Sequence, residues 1–249
     1  MDLSKLDRVE FVMTLACTGR CRHCSVETKR GPAHIEHGRL GGMLAKLARA
    51  YPIQSVMCFG GEPLLYPDEV RAIFEEAKAA KIPRRQLITN GFFSRNPAKI
   101  ASVADKLNTC ATEILLSADA FHQETIPLGP VQVFAGRAKH LKLHPAWLVS
   151  PEDGNPWNVQ TREVLAQFPG VPVSEGNVVF PRGNALRYLR AYFPPDPPAV
   201  SPYDQSPEHV TSIGVEPNGG VTAAGQAIGN AYREDILDIL EGTACAASS

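Results

Sequence analysis

The chain has 249 residues, of which 44% are hydrophobic and 20% charged, and this length suits one large single-core domain or a domain with a small appendage. Its formal net charge of -1 gives no electrostatic reason to expect nucleic acid or an anionic membrane as a partner. No apolar run approaches the roughly 18 residues of a membrane-spanning helix, and the charged amino terminus lacks the apolar core of a secretory signal, so we expect a cytoplasmic protein.

Short apolar runs alternate with helical patterns along most of the chain. In chain order, the predicted elements are a strand at residues 9–15, a helix at 37–50, a strand at 55–59, a helix at 67–81, a strand at 85–89, a helix at 100–107, a strand at 113–117, a fifth strand within 139–148, a helix at 160–167 and a sixth strand within 171–180. Strands that alternate with helices in this way indicate βα units around a parallel sheet.

The pattern changes near residue 194. Residues 194–209 are rich in proline and have no periodicity, which is typical of a linker or an extended surface connection. We therefore divide the chain into a domain at residues 1–193, a linker at 194–209 and a carboxyl-terminal extension at 210–249.

The extension has its own turn signal. The sequence Pro217-Asn218-Gly219-Gly220 follows a short apolar run and predicts a hairpin, because Asn-Gly suits a turn with positive φ. A closing helix is expected at residues 233–240, and a disordered tail at 242–249.

Three of the six cysteines, Cys17, Cys21 and Cys24, fall within eight positions directly after the first predicted strand. The cytoplasm keeps thiols reduced, so clustered cysteines there are more often metal ligands or catalytic groups than a disulfide framework. A loop with three thiols suits an iron–sulfur cluster in which one iron has no protein ligand and stays open to bind something else.

A structural zinc loop is the alternative interpretation of the same thiols. Zinc in such a site takes four ligands, and His23, His34 or His37 could supply the fourth.

The spacing C-x-x-x-C-x-x-C after a first strand resembles the radical S-adenosylmethionine (radical SAM) superfamily. The resemblance implies that Cys17, Cys21 and Cys24 hold a [4Fe-4S] cluster. In that family the residue before the last cysteine is usually aromatic and lies against the adenine of SAM, and here it is His23.

A second motif supports the resemblance. Gly60, Gly61, Glu62 and Pro63 directly follow the second predicted strand and match the family's Gly-Gly-Glu-Pro motif, which implies that they bind SAM. Glycines without Cβ let the backbone come close to a ligand, so that free carbonyl groups can meet the ammonium group of its methionine part. A tight turn between a strand and a helix is the alternative reading of these residues.

Two further stretches carry the resemblance along the chain. Asn90 lies in a Thr-Asn-Gly sequence at the end of the third predicted strand, and Ser117 and Asp119 follow the fourth. By resemblance all three are candidates for SAM binding, with the last two near the ribose. Ser117 and Asp119 can equally be cap or turn residues before a helix. His122 lies close behind them and is a further candidate for substrate contact or for a surface position.

The resemblance also implies a fold and a reaction. The fold is α/β, a partial (βα)6 barrel whose active site lies at the carboxyl ends of the strands, followed by a small hairpin-plus-helix extension. The cofactors are the [4Fe-4S] cluster and SAM. An electron from a flavodoxin or ferredoxin-type donor reaches the sulfonium through the cluster, and the resulting 5′-deoxyadenosyl radical takes a hydrogen atom from the substrate. No residue can be named as a catalytic acid, base or hydrogen donor.

The substrate is left open between two classes. The extension resembles the start of the cysteine-rich extension of peptide-modifying relatives, which favours a peptide or protein substrate. Ala223 and Ala224 stand where a cysteine of an auxiliary cluster would be expected, and Cys58, Cys110 and Cys245 are scattered, so we expect one cluster only. This departure favours a small metabolite. A non-catalytic module that binds zinc or a structural cluster is the third alternative.

Overall fold

An eight-stranded sheet lies at the centre of the protein in the computed structural model, which describes residues 1–25, 31–198, 201 and 204–245. In chain order the strands are β1 (Arg8–Val12), β2 (Ser55–Phe59), β3 (Arg84–Thr89), β4 (Glu113–Leu116), β5 (Leu141–Leu143), β6 (Ala146–Trp147), β7 (Asn177–Val178), β8 (Ser212–Val215), β9 (Gly220–Ala223) and β10 (Gln226–Asn230). The helices are α1 (Met43–Ala50), α2 (Pro67–Ala79), α3 (Pro97–Leu107), α4 (Ala120–Gln123), α5 (Leu128–Arg137), α6 (Pro156–Leu165), α7 (Gly183–Tyr188) and α8 (Ile236–Cys245).

The main sheet has the order β10-β9-β8-β1-β2-β3-β4-β5, and the six strands from β8 to β5 in this order run parallel to one another. Strands β9 and β10 continue the sheet in antiparallel fashion. Helices α2 and α3 make the crossovers between β2, β3 and β4, as parallel pairs require. The predicted α/β fold with a partial barrel is confirmed, and the loops after β1 to β4 share one edge of the sheet.

The apolar faces predicted from the sequence form the core. Helix α2 buries Val70, Ile73, Phe74 and Ala77 on one face, which packs against the sheet. Phe11 of β1 is fully buried on the same core. Burying a large apolar side chain stabilises a fold by roughly 1.5–3 kcal/mol, so this shared core accounts for much of the cohesion between the helices and the sheet.

The predicted helix at residues 37–50 divides into two pieces. A short 3-10 turn covers His37–Arg39, and α1 begins only at Met43. Gly41 and Gly42 lie between them with φ of 57° and 72°, a left-handed conformation that interrupts the helix.

A sixth strand forms within 171–180 as predicted, but it is short and interrupted. It consists of β7, which pairs in parallel with β6 in a separate two-stranded sheet, and Val173 before it makes a single parallel bridge to Leu143. Gly176 between them has φ of 74°, and a Cβ at that position would overlap the carbonyl oxygen of Pro145. This left-handed turn redirects the chain before a longer strand can form.

Three helices were missed from the sequence. Helix α4 has four residues and α7 six, too short for a periodic pattern. Helix α5 contains Gly129, Pro130 and Gly136, which have low helix propensity and hide its amphipathic pattern.

The carboxyl-terminal hairpin is confirmed, and it joins the main sheet. Strands β8 and β9 pair across a turn in which Gly219 donates its N–H to the carbonyl of Glu216 at 2.8 Å, and β8 pairs with β1. Whether residues 210–249 act as a separate extension stays a prediction. Within the described parts of the chain, none of the helices has the length and apolar character needed to cross a bilayer.

The closing helix lies later than predicted. It runs over Ile236–Cys245 instead of residues 233–240, so the prediction of disorder was wrong for 242–245, and residues 246–249 lie outside the described residues. Gly229 of β10 lies against this helix, since a Cβ there would come 2.7 Å from a side-chain carbon of Ile239. The helix therefore packs closely on the end of the sheet.

Candidate cofactor site

The cysteine loop leaves the end of β1 and carries Cys17, Cys21 and Cys24. Cys21 is buried, and Cys17 and Cys24 are partly exposed. Gly19 allows the tight path between them, because a Cβ there would come 3.2 Å from the sulfur of Cys21 and 3.0 Å from Ile126. The loop therefore brings the three thiols together at the carboxyl edge of the sheet.

Helix α7, which comes much later in the chain, holds this loop in place. The N–H of Asn184 donates to the carbonyl of Cys24 at 2.9 Å, and its side-chain amide donates to the carbonyl of Cys21 at 3.4 Å. Gly183, with φ of 57°, lies so close that a Cβ would overlap the carbonyl of Ser25. Asn184 and Cys21 are 163 positions apart, and no local pattern in the sequence connects them.

The two glycines after β2 lie against the base of the cysteine loop. The N–H of Gly61 donates to the carbonyl of Thr14 at 2.7 Å, and a Cβ on Gly61 would overlap the carbonyl oxygen of Ala16. Gly60 has φ of 129°, and a Cβ there would come 2.6 Å from the carbonyl oxygen of Thr14. Only glycine fits this close approach, so the turn and the cysteine loop form one unit.

Glu62 is completely buried and connects the ends of two strands. Its carboxylate accepts hydrogen bonds from the N–H of Leu64 at 2.8 Å, the hydroxyl of Thr89 at 2.7 Å and the N–H of Asn90 at 2.8 Å. Burial raises the pKa of Glu62 to about 7, although these three hydrogen bonds lower it. Pro63 begins the 3-10 turn that Glu62 caps.

Asn90 lies beside the first cysteine of the loop. It is 5% exposed, and its side-chain amide lies 3.7 Å from the sulfur of Cys17 and 3.2 Å from the hydroxyl of Thr18. The predicted site residues of the second and third strand ends thus contact each other and the cysteine loop.

Asp119 is the N-cap of α4, as its alternative interpretation predicted. One oxygen accepts from the N–H of His122 at 2.9 Å, and the other accepts from the ring of His122 at 2.8 Å and the N–H of Ala146 at 3.0 Å. Burial would raise the pKa of Asp119, but the neighbouring His122 outweighs it and holds that pKa well below its usual range. Ser117 is 8% exposed and donates its backbone N–H to Thr89 at 2.8 Å.

His23 lies against aromatic rings. Its ring centroid is 4.9 Å from that of Phe121 and 4.7 Å from that of His122, and Phe121 stacks on Trp157 at 4.5 Å. Burial lowers the pKa of His23 to about 4, and its Nδ1 atom is shielded from solvent with no hydrogen-bond partner among the described residues. Phe121 and Trp157 were not predicted, because no spacing pattern relates them to His23.

The described residues contain one set of three metal-binding side chains whose ligand atoms all lie within 4.8 Å of one another, namely Cys21, His23 and His122. The three cysteines do not form such a set. A [4Fe-4S] cluster is held by cysteine thiolates on separate iron atoms, so its ligands need not converge on one ion, and the three thiols of this loop fit it by their chemistry.

The other histidines considered for zinc are engaged elsewhere. His34 stacks on Tyr66 with ring centroids 3.8 Å apart, and the ring of His37 bonds to Glu76 at 2.7 Å. Of the cysteines outside the loop, Cys58 lies inside β2 and Cys110 follows α3. Both are buried, and burial raises the pKa of each thiol.

Solved structures of similar fold include proteins bound to S-adenosylmethionine and to peptides. The chain aligns with SuiB of Streptococcus suis bound to S-adenosylmethionine at 13% identity and a TM-score of 0.56, over 95% of this chain and 66% of that one. It aligns with SuiB bound to the precursor peptide SuiA at 12% identity and a TM-score of 0.56, over 95% and 64%. The native anSMEcpe with bound AdoMet and Cp18Cys peptide aligns at 13% identity and a TM-score of 0.58, over 95% and 80%.

At these identities the likeness is one of fold, and the chain spans about two thirds of the length of SuiB. No curated protein sequence matches the chain. The family model of the radical SAM superfamily matches residues 11–142, more than half of the chain, and this range contains the cysteine loop and the Gly-Gly-Glu-Pro turn. The chain therefore belongs to the radical SAM superfamily, whose members use a [4Fe-4S] cluster and S-adenosylmethionine.

Proposed function

We propose that the protein is a cytoplasmic enzyme that cleaves SAM reductively at a [4Fe-4S] cluster held by Cys17, Cys21 and Cys24. The observation that carries the proposal is the loop with three thiols packed against the glycine turn at the end of β2. A cluster bound by these cysteines would supply the single electron that reductive cleavage of SAM requires, and the cleaved SAM would supply the means of removing a hydrogen atom from the substrate.

The protein's own residues would bind and orient these groups. We propose that Gly60, Gly61 and Pro63 line the methionine part of SAM, beside the base of the cysteine loop on which the two glycines pack. The ring of His23, supported by Phe121, offers a flat surface for the adenine. These side chains also exclude water from the reacting atoms.

Two other predicted site residues would act indirectly, by supporting the groups around SAM. The carboxylates of Glu62 and Asp119 already accept hydrogen bonds from neighbouring protein groups, so we propose that they hold the strand ends in position around SAM. Ser117 and Asn90 stay candidates for direct contact, since both lie at the same edge of the sheet.

We propose a peptide or protein side chain as the substrate. The support is fold similarity to SuiB, solved with its precursor peptide SuiA, and to anSMEcpe, solved with a Cp18Cys peptide. Ala223 and Ala224, at the end of β9 where a cysteine was expected, favour the alternative of a small metabolite. A flavodoxin or ferredoxin-type protein would supply the electron.

The cofactor chemistry can be tested with purified protein. After anaerobic reconstitution with iron and sulfide, we expect about four irons per chain and, with reductant, conversion of SAM to 5′-deoxyadenosine and methionine. Cys17→Ala, Cys21→Ala and Cys24→Ala should each abolish this conversion, while the control Cys245→Ala should retain it. Stoichiometric zinc without SAM cleavage would overturn the proposal in favour of a structural metal site.

The substrate class needs a separate experiment. An extract of cells grown in deuterated medium would be divided by size into a peptide and protein fraction and a small-metabolite fraction, and each would be added to the enzyme with SAM. We expect mass spectrometry to find deuterium in 5′-deoxyadenosine with the peptide and protein fraction. Deuterium transfer from the small-metabolite fraction alone would contradict the peptide assignment.

A further inference from the structure

The orientation of the Asn90 side chain is fixed by a group that can only donate. The backbone N–H of Phe92 donates to the Oδ1 atom of Asn90 at 2.8 Å. This contact identifies the oxygen end of the amide, so the Nδ2 end must point the other way. There it lies 3.7 Å from the sulfur of Cys17.

The sulfur of Cys17 has a second N–H donor nearby. The backbone N–H of Gly19 lies 3.4 Å from it. A cysteine that binds iron is a thiolate, and hydrogen bonds to an ionised acceptor are stronger than those to a neutral one. Asn90 and Gly19 therefore place two partial positive charges against one ligand sulfur.

The backbone of Asn90 is held in position by buried groups. Its backbone N–H donates to Glu62 at 2.8 Å, and the same carboxylate accepts from the hydroxyl of Thr89. Gly91, which follows, has φ of 72°, and a Cβ there would come 2.8 Å from Leu116. The backbone of Asn90 is thus fixed, and this keeps the side-chain amide of Asn90 close to the sulfur of Cys17.

We propose that Asn90 raises the reduction potential of the cluster through its hydrogen bond to Cys17, and that Glu62 positions Asn90 for this role. The inference rests on the proposed function, because it requires a cluster on Cys17. An oxidised [4Fe-4S] core of charge +2 with three thiolates has a net charge of -1. One electron from an external low-potential donor makes it -2, with no proton taken up. N–H donors at a ligand sulfur stabilise the more negative state, and hydrogen bonds to sulfur are known to set such potentials.

The test is a potentiometric titration of the reconstituted cluster without SAM, followed by electron paramagnetic resonance of the reduced form. Asn90→Leu keeps the size of the side chain and removes the donor. We expect the equilibrium constant for reduction by a fixed donor such as dithionite to fall roughly tenfold, which is about 59 mV for a one-electron couple. Asn90→Asp keeps the acceptor for Phe92 and replaces the donor with an oxygen, so its potential should fall further.

The control is Gln160→Leu, which removes an exposed amide on α6 and should leave the potential unchanged. If Asn90→Leu loses its iron, Asn90→Asp decides the matter by the same measurement. A cluster of normal iron content whose potential is unchanged or raised in the Asn90 variants would overturn this inference and leave the proposed function standing. A wild-type protein that binds no cluster would defeat the proposed function itself.

Discussion

Two carboxylates in different regions of the molecule make the same set of contacts. At the cofactor edge, meaning the loops after β1 to β4, Asp119 accepts from the ring of His122 at 2.8 Å and from the backbone N–H at the start of α4. In the outer layer, where α1 packs on α2, Glu76 accepts from the ring of His37 at 2.7 Å and from the N–H of Leu44 at the start of α1. Each carboxylate joins a histidine to a helix amino terminus, where negative charge is favourable.

The two regions differ in what surrounds the pair. Asp119 has no exposed surface, and its partner His122 lies beside His23, whose Nδ1 atom has no partner among the described residues, and beside Cys21. The side chain of Glu76 is 14% exposed, and its two oxygens accept hydrogen bonds from the ring of His37 and from the N–H groups of Leu44 and Ala45. A carboxylate–histidine pair alone is therefore not evidence of a functional site, whereas unsatisfied groups and thiols beside one are.

The largest expected contrast between the regions lies in their glycines. Gly61→Ala places a Cβ on the carbonyl oxygen of Ala16, so the turn or the cysteine loop must move. We expect the free energy of unfolding to fall by about 3 kcal/mol or more and iron binding to be lost, because the overlap is with backbone. In the outer layer, Gly38→Ala meets nothing within 4 Å and should change stability by less than about 0.5 kcal/mol. Urea unfolding and iron analysis of both variants would check this, and equal effects would refute the contrast.

The next contrast removes the carboxylates. Asp119→Ala removes a carboxylate with no exposed surface and leaves the partly buried ring of His122 and the buried N–H of Ala146 without their acceptor, and we expect the free energy of unfolding to fall by about 3–5 kcal/mol. Glu76→Ala frees groups that lie closer to water, so a loss of about 1–3 kcal/mol is expected. Chemical denaturation at neutral pH measures both. A larger loss for Glu76→Ala would show that burial does not separate the two pairs.

The sequence predicted the residues at the strand ends, but it did not predict the groups that support them. Glycine, cysteine and turn residues next to an apolar run carry a local signal, so the sequence alone predicts that Cys17, Gly61 and Asn90 lie at the carboxyl edge of the sheet, where the structure has them. The β2 strand was predicted with its observed bounds for the same reason.

The supporting groups had no such signal. Asn184 reaches the cysteine loop across 163 positions, and Phe121 meets His23 only because α4 folds back over the loop. The sixth strand was predicted in the right range, but its interruption at Gly176 was not, because a left-handed turn there leaves no mark on the apolar pattern. Contacts between distant segments are set by tertiary packing, which periodicity along one segment cannot express.

The smallest expected effect concerns the pH dependence of the outer pair. The hydrogen bond to Glu76 raises the pKa of His37 above its ordinary 6.5. Burial raises the pKa of Glu76, but hydrogen bonds from His37 and from two backbone N–H groups outweigh burial and lower this pKa below its ordinary 4.5. The stabilisation from protonated His37 is fully present below pH 6.5 and is lost as pH rises through the raised pKa of His37 in the folded state. The stabilisation from ionised Glu76 is present above pH 4.5 and is lost as pH falls through the lowered pKa of Glu76 in the folded state.

The pair should therefore stabilise the fold most between pH 4.5 and 6.5. His37→Gln removes the charge but keeps an amide that can donate. The difference in unfolding free energy between wild type and this variant should be about 1 kcal/mol within that window and should shrink on either side of it. Urea denaturation across the pH range measures the difference. A difference that grows above pH 6.5 would mean that His37 contributes as a neutral ring, and the ion pair between His37 and Glu76 would then not be the source of the stabilisation.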